Sequence, residues 1–333
     1  LSLPSTLLSI GDDAFYCCGF TSELSIPENV EYIGLGAFDG CRYLYGSLRL
    51  PDKLKTIGRY AFDGCTGLTG SLEIPKGVVN IPDYAFRSCG FNGNLILHNN
   101  INILGSGAFE NCHFKGEIVL PQKLMIIEDG VFERCDFSGE LIFPKSLVSI
   151  GRSAFAYNRR LIGSLEFPEG LETIGENAFA DCSYLEKLVF PKSLEVIRKC
   201  AFQNCYGVGS IVCKSDIPAN IHPSTFDGIA EDNLSLEVPE SAITQYHTAQ
   251  GWCDFKRITA HHELVCKPSV ACALSTEHKQ LLYIDAEGDW EVESIPAWCE
   301  LSQNSGSKKS EITLTVKASS ATENREGDIV FRL

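Results

Sequence analysis

Cysteine is the residue whose spacing in this chain first promises chemistry. Cys18, Cys41, Cys65, Cys89, Cys112, Cys135, Cys182 and Cys205 recur at a pitch of 23 or 24 residues, with Asn158 filling the gap and Ile229 standing next in line. Thiols in register could form disulfides, ligate metal ions or act as nucleophiles. Stacked segments would bring neighbouring thiols to roughly 4.8 Å, inside the Cα window for a disulfide, so distance leaves pairing open. Asn158 and Ile229 show that the slot accepts residues that cannot pair. No CxxC occurs, and zinc-type spacing is absent. The column therefore reads as buried free thiols that act as small hydrophobes, with disulfide pairs or a metal ladder as the alternatives.

The remaining reactive side chains are dispersed. The histidines, His98, His113, His222, His247, His261, His262 and His278, do not converge. His98 takes a slot where proline usually stands, and a solvent-exposed role is expected there. His261-His262-Glu263 has ligand-type residues but sits in a polar linker. Neither a phosphate-binding glycine loop nor a nucleophile elbow is present. No catalytic residue, metal site or cofactor is expected, and the chain does not read as an enzyme.

The elements that carry the cysteines explain their spacing. Three residues before each one stands a phenylalanine, and Phe15, Phe38, Phe62, Phe86, Phe109, Phe132, Phe155, Phe179, Phe202 and Phe226 follow one another at 23 or 24 residues. Such a period marks a solenoid. An aliphatic lies eight residues before the phenylalanine (Val30, Leu54, Val78) and another five before it (Ile33, Ile57, Ile81). A glycine often follows the second, as at Gly34 and Gly58, where positive φ is expected. After the cysteine come another apolar residue and a short alternating strand, such as Leu72-Glu73-Ile74-Pro75, that proline closes. Each buried phenylalanine contributes roughly 1.5–3 kcal/mol, but only when the next coil covers it, so no coil folds alone. One strand per coil predicts a narrow parallel sheet, about 45 Å long for ten coils.

This template resembles the BspA-like class of bacterial leucine-rich repeats over residues 1–260. The resemblance implies a right-handed leucine-rich-repeat coil with a C-terminal cap, matched here by Val238-Pro239, Tyr246, Trp252, Phe255 and Ile258. Pro239 and Glu240 suit a helix start, and Gly251 suits its stop.

The texture changes after Ile258. Leu281 to Ile284, Trp290 to Val292, Glu311 to Val316 and Asp328 to Phe331 read as strands, with turns at Gly288, Asn304-Ser305-Gly306 and 324–327. Ile312, Leu314 and Val316 alternate with threonines, giving one apolar face. Residues 264–333 are expected to form a small all-β, immunoglobulin-like sandwich. Gly288-Asp289-Trp290, Ala297-Trp298, Ser305-Gly306 and Asn324-Arg325-Glu326-Gly327 resemble the BACON domain of secreted multidomain proteins from gut bacteria. Cys266, Cys272 and Cys299 depart from that pattern. The resemblance implies carbohydrate or mucin binding, or a spacer role. Trp290 and Trp298 are the weak candidates for a glycan platform, with core packing the stronger expectation for both.

Composition sets the outer limits. The chain has 333 residues, a net charge of −15 and a pI near 4.9, which argues against nucleic acid and anionic membrane surfaces as partners. No apolar run approaches the roughly 18–20 residues of a transmembrane segment. Leu1 falls inside a repeat strand, so a targeting segment, including a lipoprotein signal, is expected further upstream. The middle residue of each strand points outward, giving Ser25, Arg49, Glu73, Ile96, Val119, Ile142, Glu166, Val189, Val212 and Glu237 along the coils. Ile96, Val119, Ile142, Val189 and Val212 form an apolar stripe that is the candidate protein-binding surface, although β propensity alone would also place branched residues there. The expectation is a secreted or cell-surface bacterial protein that adheres to or recognises a host or neighbouring-cell protein. Glycan binding, through the tail or through Tyr43, Tyr45, Tyr60 and Tyr84, is the alternative. A spacer for an N-terminal module is a third reading.

Overall fold

The computed structural model describes residues 1–229, 234–261, 264–267, 278–316 and 329–332. His262, Glu263, Cys272 and the expected turn at 324–327 lie outside them. The chain divides into two compact units, Leu1–Thr259 and Ala260–Leu333.

The first unit is a stack of parallel coils. Its Phe column is continuous from Phe15 to Phe226, with successive ring centroids 5.1–5.9 Å apart. Phe38 through Phe202 are fully buried, while Phe15 and Phe226 at the ends are partly covered. The Ala-Phe corner is itself a backbone ladder. Phe38 N–H donates to Ala61 O at 2.8 Å and Phe62 N–H to Ala85 O at 2.8 Å, and the pattern repeats. Alanine suits a corner where adjacent coils approach this closely.

Most coils contribute to two sheet regions rather than the single expected one. The additional ladder consists of two-residue strands ending on the inward aliphatic, such as Tyr32–Ile33 paired with Thr56–Ile57, and Thr173–Ile174 paired with Val196–Ile197. Two residues cannot display a strand period, so no sequence pattern announced it. The broader strands Arg160–Glu166 and Ser235–Val238 follow the expected alternation in burial, while Tyr184–Phe190 and Ser210–Cys213 each end in three consecutive buried residues. They form a continuous ladder only in the later coils, through Arg160–Glu166, Tyr184–Phe190, Ser210–Cys213, Ser235–Val238 and Ile258–Ala260.

The glycines do not act where expected. Gly58 is not in the positive-φ region, and a methyl on it would come within 2.4 Å of the Gly34 carbonyl carbon in the preceding coil. Its role is close approach of backbones. Positive φ falls instead two residues before and two after the phenylalanine, as at Tyr60 (57°) and Gly64 (69°), or Asn177 (56°) and Asp181 (62°).

Beyond Pro239 the coil stack is closed by a short 3-10 turn, Glu240–Ala242, and a helical turn, Ile243–Tyr246. Trp252 is buried against Phe226, with centroids 5.8 Å apart, and its Nε1–H donates to Ala219 O at 2.8 Å. Tyr246 Oη–H donates to Ser215 O at 3.1 Å. These bonds let the two large aromatics replace the missing coil without leaving a buried donor unpaired.

The second unit is antiparallel. His278–Ser294 pairs with Ser305–Val316, which pairs with Cys299–Leu301; Leu264–Lys267 and Val330–Arg332 also pair with His278–Ser294. Two expected strands are thus one, and Gly288 falls at a register shift between Asp285 and Asp289 instead of a turn. Leu282, Ile284, Ala286, Trp290, Ile312, Leu314 and Val316 make the core of this sheet.

Candidate functional site

The outward row divides where the ladder does. Ile96, Val119 and Ile142 are 47, 69 and 71% exposed. Their neighbours Leu95, Ile118, Leu120, Leu141 and Phe143 are buried, so the three side chains stand on the outer face of a packed wall. Val189 and Val212, in the same slot, are 8 and 1% exposed and leave the candidate surface. Val189 is paired between Glu166 and Val212, and Val212 between Val189 and Glu237, in the closed ladder, yet pairing alone does not bury an outward side chain, since Glu166 stays exposed on the same ladder. Among the described residues, no backbone hydrogen bond joins 117–120 or 140–143 to an adjacent coil.

Carboxylates surround the exposed row. Glu73 precedes Ile96 along the axis and is paired with it, Glu166 follows Ile142, and Glu117 and Glu140 lie two residues before Val119 and Ile142. All four are exposed, and among the described residues none of the four side chains makes a hydrogen bond or ion pair. A second set of exposed apolar residues, Ile103, Met125 and Ile126, lies at the two-residue strands Ile103–Leu104 and Ile126–Ile127 of the same coils. The sequence reading missed it because it followed only the longer strand.

The thiol column is interior. Cys41 through Cys205 are buried and free. Each S–H donates to the carbonyl of the preceding coil's phenylalanine: Cys65 to Phe38 at 3.1 Å, Cys89 to Phe62 at 3.0 Å, Cys112 to Phe86 at 3.1 Å and Cys205 to Phe179 at 3.2 Å. Burial pushes the Cys112 and Cys205 thiols up to about 12, and raises Cys89, Cys135 and Cys182 as well. Such groups are poor nucleophiles. Asn158 replaces the thiol by donating Nδ2–H to Phe132 O at 2.7 Å and Phe155 O at 2.9 Å, while its Oδ1 is buried without a partner.

The corner of the early coils carries a polar cluster that the sequence reading did not assemble. Arg87 donates to both Asp63 oxygens, at 3.0 and 2.5 Å, and its guanidinium lies 4.6 Å from the Tyr84 ring centroid. Tyr84 stacks on Tyr60 at 5.2 Å. A cleft of about 560 Å³ runs past Asp39, Arg42, Asp63, Thr66, Arg87 and Glu110. Burial, and then the Asp63 charge, push the Asp39 carboxyl up; burial, and then Glu133, do the same for Glu110. Only the repeat register could have revealed the cluster, since its members lie 23 or 24 residues apart. Tyr43 and Tyr45 are exposed singly. His98 is half-buried rather than exposed, bridging Pro75 O at Nε2 (2.9 Å) and the Asn100 N–H at Nδ1 (3.2 Å).

In the second unit, Trp290 is 2% exposed, packs edge-on against Phe331 and donates Nε1–H to Ser310 Oγ at 3.3 Å. It is core, and no sugar can stack on its face. Trp298 is half-buried against the same core. A shallow cleft of about 550 Å³, lined by Asp289, Glu291, Ser305 and Ser307, passes over the edge of Trp290.

Stacked parallel coils with inward aliphatic and phenylalanine columns define a leucine-rich-repeat solenoid. The chain belongs to the BspA-type leucine-rich-repeat family: the model described as "BspA type Leucine rich repeat region (6 copies)" matches residues 8–138, 44–162, 102–234 and 156–259. The BACON model, described as "Putative binding domain, N-terminal", matches residues 288–333. Similar solved structures include a leucine-rich repeat protein from Bacteroides ovatus (22% identity, 75% of this chain and 85% of that one, TM-score 0.33). A leucine-rich cell surface protein from Faecalibacterium prausnitzii aligns at 19% identity over 74% of this chain and 86% of that one, with a TM-score of 0.38. The pneumococcal vaccine antigen PcpA aligns at 19% identity over 78% of each chain, with a TM-score of 0.44. No curated protein matches the chain.

Proposed function

We propose that this is a non-catalytic surface-recognition protein, and that the solenoid binds a host or neighbouring-cell protein through Ile96, Val119 and Ile142. The observation that carries the reading is the exposure of three aliphatic side chains on adjacent coils, in a slot where Val189 and Val212 are buried. A contiguous exposed apolar patch rimmed by polar residues is a mark of an interaction site. Membership of the BspA-type family supports a secreted or cell-surface location, with a lipoprotein anchor as one means of attachment. The test is capture of surface proteins by the immobilised chain, compared with Ile96→Glu/Ile142→Glu at matched melting temperature. Capture is expected to fall at least about tenfold. Unchanged capture by a folded variant would remove the row as the site.

A second reading places glycan binding in the BACON-like unit. The polar cleft along Asp289, Glu291, Ser305 and Ser307 favours it, with Trp298 beside the same core. A glycan array probed with the intact chain tests it, and loss of any signal on changing Asp289→Asn with Ser307→Ala would support it.

A further inference from the structure

We infer that the partner of the Ile96–Val119–Ile142 row is a cationic protein segment: a short extended stretch with aliphatic side chains at its centre and lysine or arginine at both ends. This rests on the reading of the row as a binding site and names the chemistry that would fill it.

Three observations lead there. The row is apolar at its centre, so its occupant must bring aliphatic groups to cover it. It is bounded on its long axis by Glu73 and Glu166, and along one side by Glu117 and Glu140, all four exposed. None of the four has a partner among the described residues, although Lys115, Lys123 and Lys145 belong to the same coils. Among the described residues, none of the carboxylates beside the exposed aliphatics is ion-paired, on a chain whose net charge is −15. Cationic groups meeting such a rim are steered to it and held in register, while acidic segments are repelled.

The dimensions fix the length. Glu73 and Glu166 are four coils apart in the repeat, which is about 20 Å at the spacing of adjacent strands. An extended chain covers that distance in about six residues at roughly 3.3 Å each. Alternate side chains of such a segment would face the row, and basic residues just outside it would reach the two end carboxylates.

The experiment uses the full chain and two fluorescein-labelled peptides. One has about six alternating leucine and threonine residues flanked by paired lysines; its twin carries glutamates in place of the lysines. Fluorescence anisotropy should show the lysine peptide binding at least about tenfold more tightly than its twin, with the difference shrinking between about 50 and 500 mM salt. In Glu73→Gln/Glu117→Gln/Glu140→Gln/Glu166→Gln, whose surface changes leave the core intact, the preference should collapse. Equal binding of the twins, no binding of the lysine peptide, or a preference that survives the four glutamines would each overturn the inference. Ile96→Ser/Ile142→Ser separates it from the reading beneath. If this variant weakens both peptides while the glutamine variant changes nothing, the row still binds but its charge requirement is wrong. If neither variant alters binding, both readings fall.

Discussion

Val119 and Val212 occupy the same slot in the same repeat, yet one is 69% exposed and the other 1%. The coils around them differ in how they are joined. The later coils are bonded strand to strand as far as Ile258–Ala260, whereas 117–120 and 140–143 make no such bonds among the described residues. The aromatic columns do not separate the two regions: Phe91, Phe114 and Phe137 stack in the middle coils and Phe143, Phe167 and Phe190 in the later ones, and ring spacing is 5.9 Å at Phe109–Phe132 and 5.8 Å at Phe202–Phe226. The lesson is that strand parity gives an outward direction in a solenoid but does not by itself give exposure.

The largest effect should come from what the two regions share. Phe109→Ala removes a fully buried ring from the continuous column and is expected to cost about 3–5 kcal/mol in chemical denaturation. A loss under about 1 kcal/mol would mean the column is not packed as described.

The thiol column also spans both regions and gives a pH test. Its folded pKa values are raised, so its contribution is complete below the unfolded thiol value and is lost as pH climbs towards the folded values. Stability should therefore fall above about pH 8.5, by about 1.4 kcal/mol per buried thiol for each pH unit, while Ellman's reagent labels the column only after unfolding. A melting temperature flat from about pH 8 to 11 would contradict this.

The comparison itself sharpens with Val212→Ala, expected to cost about 1.5–3 kcal/mol, against Val119→Ala, expected within about 0.5 kcal/mol of neutral. Equal losses would place the two valines in the same environment. Amide exchange should show the same contrast, with Ile118 to Leu120 at least about 100-fold faster than Ile211 to Cys213.

The smallest change is Asn158→Cys. It restores the column's S–H donor and removes the unpaired Oδ1, so a gain of about 1 kcal/mol is expected by calorimetry. A loss would mean that the two amide donations outweigh the buried acceptor.

Much of this was legible in the residues, for reasons the comparison makes plain. The Phe, Cys and aliphatic columns showed themselves because burial imposes one residue type at a fixed pitch. The outward parity of Ile96, Val119 and Ile142 followed from strand alternation. Exposure did not, because Val189 and Val212 carry the same signal and are buried. The Arg87, Asp63, Tyr84 and Tyr60 cluster was invisible for a related reason: its contacts run between coils, not along the chain. Core packing was the stronger expectation for Trp290, and Phe331 and Ser310 around it agree.

The claim that the middle coils hold the working surface can be tested by contact. Val119 is replaced by the photo-crosslinking residue benzoylphenylalanine, and Thr56, exposed on the two-residue ladder, is replaced likewise as a control. Each chain is irradiated with the lysine-flanked peptide, and adducts are mapped by mass spectrometry. A covalent adduct is expected at position 119 and little at position 56. Equal labelling at the two positions, or none at 119, would contradict it.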